Sequence, residues 1–244
     1  MVSNKLQYRT KSNLRIFFKC FGRIFLLIIC VLGLMLAGFY HKHSFYKIYG
    51  ASMFPSIASE GYSCFINTET SYTYGDIVIA YDPTIHTSPV IKRVIATGGD
   101  FVGFVFNNSP SNQNHKMGYY QILLFKQENP TQPVLLEEPY LIQGIADTTH
   151  QNQLLVNTHI TYQKFLASPK IAQNLSVAFL FGQFIHLYQV AENHVFLLGD
   201  NREVSIDSAT YGAVPANSIK GKVEYIFQDS VSTFEIALKD ILGL

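Results

Sequence analysis

Val90-Ile91-Lys92-Arg93-Val94-Ile95-Ala96-Thr97 is a run of β-branched and aliphatic residues with two adjacent cations in its middle, closed by Gly98-Gly99. Such a run reads as a strand, and the Gly pair as the turn that ends it. Side chains alternate across a strand, so Lys92 shares a face with Val90 and Val94 while Ile91 and Arg93 take the other. A lysine between two valines is a candidate for removal from water. The competing reading is a sheet edge with both cations solvated.

Outward from this strand, the chain from Tyr46 on repeats short apolar runs divided by Gly, Pro, Asn and Asp. Strands are expected near 46–50, 62–67, 76–81, 101–107, 119–126, 134–142, 176–190, 194–198 and 221–227. Helical spacing appears at about 161–174 and at the chain end, where Phe234, Ala237, Leu238, Ile241 and Leu242 fall three to four apart. The polar stretch Asn107 to Met117 reads as a loop tip. The fold class is mainly β.

The chain has 244 residues, 48% hydrophobic and 14% charged, enough for a packed core and unlike a disordered tail. Its net charge of +1 hides an asymmetry: Lys5, Arg9, Lys11, Arg15, Lys19 and Arg23 precede any acid, leaving twelve cations against seventeen acids in the remainder. Ile24 to Tyr40 then runs 17 residues without a charge. That is the short end of what crosses a bilayer as a helix, extendable by Phe17, Phe18 and Phe21 while Lys19 and Arg23 reach for headgroups. No small-x-small pattern follows it, so an uncleaved anchor is expected rather than a removable leader. Six cations before the span, against Lys42 and Lys47 soon after, place the N-terminus in the cytoplasm and the rest outside.

Three segments carry chemistry: Ser52-Met53-Phe54-Pro55, the Lys92 strand, and Gly199-Asp200-Asn201-Arg202 followed by Ser205, Asp207-Ser208, Tyr211-Gly212 and Val214-Pro215. In this order they resemble the type I signal peptidases, membrane-anchored Ser/Lys proteases that remove signal peptides from exported proteins. About a third of the chain carries the likeness. The resemblance implies a basic cytoplasmic N-terminus (1–23), an anchor (24–40), a catalytic β domain (41–100 and 191–230), an inserted smaller β domain (101–190) and, by its own periodicity, a C-terminal amphipathic helix (231–244).

The resemblance also assigns roles: Ser52 the nucleophile, Lys92 the general base that later protonates the leaving amine, and Ser205 a hydroxyl holding that amine. The Ser52 backbone N–H would serve as oxyanion donor. A second donor, which some relatives draw from a serine two residues before the nucleophile, is open here because that position is Gly50. Met53, Ile57, Val90 and Ile91 would floor a pocket for small side chains, which yields an Ala-x-Ala preference. Arg93, Asp200, Arg202 and Asp207 are expected to be structural, with an Asp pairing one of the arginines. The usual arginine after the Asp-Ser pair is replaced by Ala209.

The chemistry suits those residues. A serine hydroxyl is a poor nucleophile until a base takes its proton, and lysine is a base only when neutral. Lowering a lysine from ~10.4 toward ~7 requires ~4–5 kcal/mol of preference for the free amine, which burial supplies. No metal or cofactor is expected, none of the eight histidines sits in a motif with an acid partner, and no basic stripe beyond the N-terminus suggests nucleic acid. The expected partners are signal peptides of exported preproteins and, through the span and the aromatics Phe45, Tyr46, Tyr49 and Phe54, the lipid bilayer. Localisation would be the bacterial inner membrane. Alternatives are a peptidase of conjugative transfer or pilin maturation, a self-cleaving repressor with a similar Ser/Lys pair, or an export subunit that binds signal peptides without cutting them. Oligomeric state is not encoded legibly. Cys64, the one thiol of the outer part, reads as a small buried hydrophobe.

Overall fold

The computed structural model describes residues 2–57, 60–69, 71–85, 87–107, 119–141 and 148–243, without the side chains of 2–18 and 148–157. The chain divides into two compact units, one from the chain ends (up to His43 and from Val231) and one from 44–230. Most of the expected loop tip after Asn107 lies outside the described residues.

The elements run α1 (Val2–Lys42), β1 (His43–Ile48), β2 (Tyr62–Asn67), β3 (Ile77–Ala80), β4 (Val90–Thr97), β5 (Phe101–Asn107), β6 (Tyr119–Lys126) and β7 (Asn129–Leu135). They continue with α2 (Thr148–Ala167), α3 (Pro169–Ala172), β8 (Leu175–Leu180), β9 (Gln183–Gln189), β10 (His194–Leu198), α4 (Ser208–Tyr211), β11 (Val214–Pro215), β12 (Ile219–Gln228) and α5 (Thr233–Leu242). The protein is mainly β, as its punctuation predicts.

In the first unit, α1 starts at Val2, well before the uncharged stretch, and ends at Lys42, two residues past it. Its part Lys19–Lys42, 24 residues of mean hydropathy 2.5, is long and apolar enough to cross a membrane. At 1.5 Å per residue it measures about 36 Å, against a hydrocarbon core of about 30 Å. Most of its large side chains, Leu34 at 74% and Leu27 at 66% among them, are exposed, while Phe39 near its end is buried. The amphipathic α5 lies against α1; Ser232 caps its start and Gly243, at φ +68°, ends it in the left-handed region.

The second unit holds two sheets. One has seven strands in the order β1-β2-β12-β3-β4-β10-β11, the other five in the order β7-β6-β5-β9-β8. β4 therefore sits inside its sheet, antiparallel to β3 and β10, which removes the solvated-edge reading of Lys92. Nor does one wet face alternate with a dry one, because Ile91 through Ala96 are all buried. Both sheets share a core: Ile95, Phe196 and Leu198 of the first meet Val102, Phe104, Ile122 and Leu124 of the second, with Phe165 of α2 between. Residues 101–190 thus form a second layer over that core.

The differences from sequence expectation have local causes. The run 176–190 is a hairpin, folded at Phe181 and Gly182, which take φ +53° and +73°. Two positive φ angles are what a two-residue hairpin loop requires, and a phenylalanine in one of them hides the signal. The expected strand at 134–142 lies earlier, as β7, with Pro130 and Pro133 inside it, followed by a 3₁₀ turn at Pro139–Leu141. β7 is a sheet edge, where missing N–H groups are tolerated. The helix expected at 161–174 starts at Thr148, stops at Ala167 and restarts at Pro169, whose ring suits a first helical turn and whose predecessor Ser168 accepts from the Ile171 N–H.

Candidate active site

The turn that carries Ser52 is built from its buried neighbours. Met53 and Ile57, 1% and 3% exposed, anchor residues 51–57 into a cluster with Ile48, Cys64, Ile66, Ile79 and Ile91. Within the turn the Ile57 N–H donates to the Met53 carbonyl at 2.9 Å. Gly50, just before it, sits at φ +81°, a conformation a side chain would strain. Met53 and Ile57 therefore hold Ser52 from beneath instead of lining the opening beside it.

Lys92 reaches that turn from the middle of β4. Its Nζ lies 2.9 Å from Ser52 Oγ and 2.9 Å from the Ile91 carbonyl oxygen, on a residue 3% exposed. Burial lowers its pKa from 10.5 to about 8, against the opposing pull of Asp207 and Asp200. A neutral amine with one N–H on a carbonyl has its lone pair free for the serine proton. Burial acts on Cys64 too, raising its thiol to about 12 and leaving it an inert core residue.

Ser205 does not hold the amine. Its hydroxyl is buried without a hydrogen-bond partner, while the Lys92 amine meets Ser52 and Ile91. It lies beside Gly199 and the backbone of Ser52: a Cβ built on Gly199 would overlap the Ser205 hydroxyl and stand 2.5 Å from the Ser52 carbonyl oxygen. That glycine lets the last motif press against the Ser52 turn, where the Asn201 N–H donates to the Ser52 carbonyl at 3.0 Å.

Asp200 pairs with Arg93, accepting Nε at 2.8 Å and Nη2 at 2.6 Å, a bidentate lock between β10's exit and β4. Arg93 also donates to the Gly75 carbonyl at 2.7 Å and lies 3.9 Å over the Tyr140 ring. Asp207 caps α4 by accepting from the Ala209 N–H and also accepts from the Gly199 N–H at 2.9 Å. Ala209, fully buried, packs in the shared core.

Three participants, Glu138, Tyr140 and Lys164, escape sequence reading. Arg202, besides donating Nε to the Gly199 carbonyl at 3.1 Å, pairs through both terminal nitrogens with Glu138. Tyr140 donates to the same carboxylate. Lys164 of α2 donates to the carbonyls of Arg202, Glu203 and Ser205. No motif marks them, although Lys164 is the single cation between Lys126 and Lys170 and precedes a core phenylalanine.

Beside Ser52 opens a cleft of about 370 Å³, lined by Tyr46, Lys47, Ile48, Tyr49, Ile79 and the segment from Ser88 to Lys92. Val90 and Ile91 are among its lining residues. One side of the cleft is β1, an edge strand of its sheet.

A serine and a buried lysine in hydrogen-bond contact, from motifs 40 residues apart, coincide with a family match. The model of the family described as signal peptidase, peptidase S26, matches residues 20–140 and 142–228. The chain belongs to this signal peptidase family. It is similar to signal peptidase I of Buchnera aphidicola subsp. Baizongia pistaciae, 25% identical over 178 residues that cover 67% of this chain and 56% of that protein. It is similar also to signal peptidase I of Aquifex aeolicus, 26% identical over 161 residues, 63% of this chain and 62% of that one. The chain thus spans about three fifths of the length of these relatives. A solved signal peptidase I from Enterococcus faecalis V583 aligns at 18% identity and a TM-score of 0.36, over 64% of this chain and 98% of that one.

Proposed function

We propose that this member of the signal peptidase family is a membrane-bound serine endopeptidase that removes N-terminal signal peptides from exported preproteins at Ala-x-Ala sites. The observation that carries the reading is the 2.9 Å contact between Ser52 Oγ and the buried Lys92 amine. Ser52 Oγ attacks the scissile carbonyl carbon as its proton passes to Lys92 Nζ. The resulting ammonium gives that proton to the leaving amine, the C–N bond breaks, and an ester to Ser52 remains. Water, deprotonated by the same amine, then hydrolyses the ester and restores both side chains. The Ser52 N–H is the proposed oxyanion donor, one such donor being worth ~2.7–4 kcal/mol in the transition state.

An extended substrate adding along the free edge of β1 would point alternate side chains into the cleft. Tyr46, Tyr49, Val90 and Ile91 line that cleft, and the small side chains of an Ala-x-Ala site would be the ones to enter between them. The span in α1 would anchor the enzyme in a bacterial inner membrane, with the basic end cytoplasmic and residues 44–230 on the outer face.

The test is cleavage of an Ala-x-Ala preprotein by the full chain in detergent, with the cut located by N-terminal sequencing. Ser52→Ala and Lys92→Ala are each expected to abolish cutting while leaving the fold intact. Cutting retained by either variant would contradict the dyad, and binding without cutting by the unaltered chain would favour a non-catalytic signal-peptide binder.

A further inference from the structure

Lys164 is half-buried on α2 and donates to three carbonyl oxygens at once: Arg202 at 3.0 Å, Glu203 at 2.9 Å and Ser205 at 3.0 Å. A lysine ammonium has three protons and no acceptor, so this one loop takes up its full donor capacity. Carbonyls converging on a point repel through their dipoles, and a cation at that point reconciles them with short charge-assisted bonds. The position of the cation is itself fixed. Phe165, next in sequence and completely buried, ties α2 to Phe104 and Phe196, so Lys164 projects from a helix with little freedom to slide.

The loop so held is the one that carries Ser205. The Ser205 N–H donates to the Asn201 carbonyl at 2.9 Å, and its own carbonyl accepts from Lys164, so both backbone groups of this residue are occupied. Asn201 in turn donates to the Ser52 carbonyl at 3.0 Å. With its peptide pinned on both sides, the unpartnered Ser205 hydroxyl is kept beside Gly199 and the nucleophile's backbone.

We propose that Lys164 is a positioning residue of the peptidase: from the segment between the catalytic motifs, it sets the Ser205 loop against Ser52 and thereby the rate of the chemical step. This rests on the Ser52/Lys92 reading above. Lys164 does not line the cleft, so it acts on turnover and not on substrate binding.

The test compares the full chain with Lys164→Met, which keeps the stem and deletes the donors, and with Lys164→Arg, whose planar fork keeps the charge without three converging N–H groups. Cleavage kinetics on an Ala-x-Ala preprotein and a crystal structure of each variant are the readouts. For Lys164→Met, kcat is expected to fall about tenfold with KM unchanged, within what a small misplacement of an active-site group costs. The crystal structure is expected to show residues 202–205 displaced. Lys164→Arg is expected to recover part of the rate, and it carries the test alone should Lys164→Met fail to fold, with a kcat below the unaltered chain and the same loop displaced. Full kcat in the variants, or a fall in kcat with Ser205 unmoved, overturns the assignment. If Ser52→Ala still cuts, the dyad reading has failed; if Ser52→Ala is dead and the Lys164 variants run at full rate, only Lys164's role has.

Discussion

The seven-stranded sheet and the layer of residues 101–190 build the candidate site in different ways. From the first come Ser52, Lys92, Arg93, Asp200 and Ser205, residues whose types and order are visible in the chain. From the second come Glu138, Tyr140 and Lys164, which act only because folding brings them to Arg202, Arg93 and the Ser205 loop. Nucleophile and base need particular atoms at particular places, so their identities are constrained. A carboxylate that neutralises a buried guanidinium needs only to arrive, from any segment.

The sharpest way to break this contrast is to remove one counter-charge from each region. Asp200→Ala strands Arg93, whose side chain is 11% exposed, and Glu138→Ala strands Arg202, at 2%. An uncompensated buried charge costs about 3–5 kcal/mol, so both variants should lose stability on that scale in denaturant titrations, Glu138→Ala at least as much. A loss under about 1 kcal/mol for Glu138→Ala would reduce the second layer to a bystander.

Lys92 sharpens the comparison with the opposite sign. Its folded pKa of about 8 lies below the ordinary 10.5, so the unfolded chain holds the proton more tightly. Protonated lysine therefore destabilises the fold, fully below pH 8, and the deficit disappears as pH rises toward 10.5. Lys92→Met should be inactive yet more stable at neutral pH by about 3 kcal/mol, at 1.36 kcal/mol per unit, with the gap to the unaltered chain closing as pH rises. A gap of the other sign would mean that the ammonium is well solvated or paired.

Gly199→Ala probes the contact of the last motif with the nucleophile turn. A methyl group 2.5 Å from the Ser52 carbonyl must push one segment away, and a displacement near 1 Å is expected to cost about a hundredfold in kcat. The smallest effect belongs to the β8–β9 hairpin of the second layer. Phe184, 73% exposed, should tolerate serine within about 0.5 kcal/mol and without loss of cleavage.

The strand pattern was legible because β-branched runs and turn residues act locally. Where a proline occupies an edge strand, as in β7, or a phenylalanine a left-handed turn position, as at Phe181, the local signal points elsewhere and tertiary pairing decides. The same holds at the site. The closeness of Ser52 to Lys92 was what the resemblance of the ordered motifs implied, whereas the free Ser205 hydroxyl and the Arg202–Glu138 pair depend on side-chain directions that no spacing encodes. Met53 and Ile57 show the same limit: their position predicts proximity to the nucleophile, but their side chains turn inward to the core.

The central claim is a lysine beside the serine whose pKa burial lowers, so that it becomes a free base nearer neutrality. The pH dependence of kcat/KM for preprotein cleavage tests it most directly, since that ratio reports the ionisation of the free enzyme. The rate should climb from acid pH to half its maximum near the Lys92 pKa of about 8. A midpoint close to 10.5, the value of a solvated lysine, would contradict it.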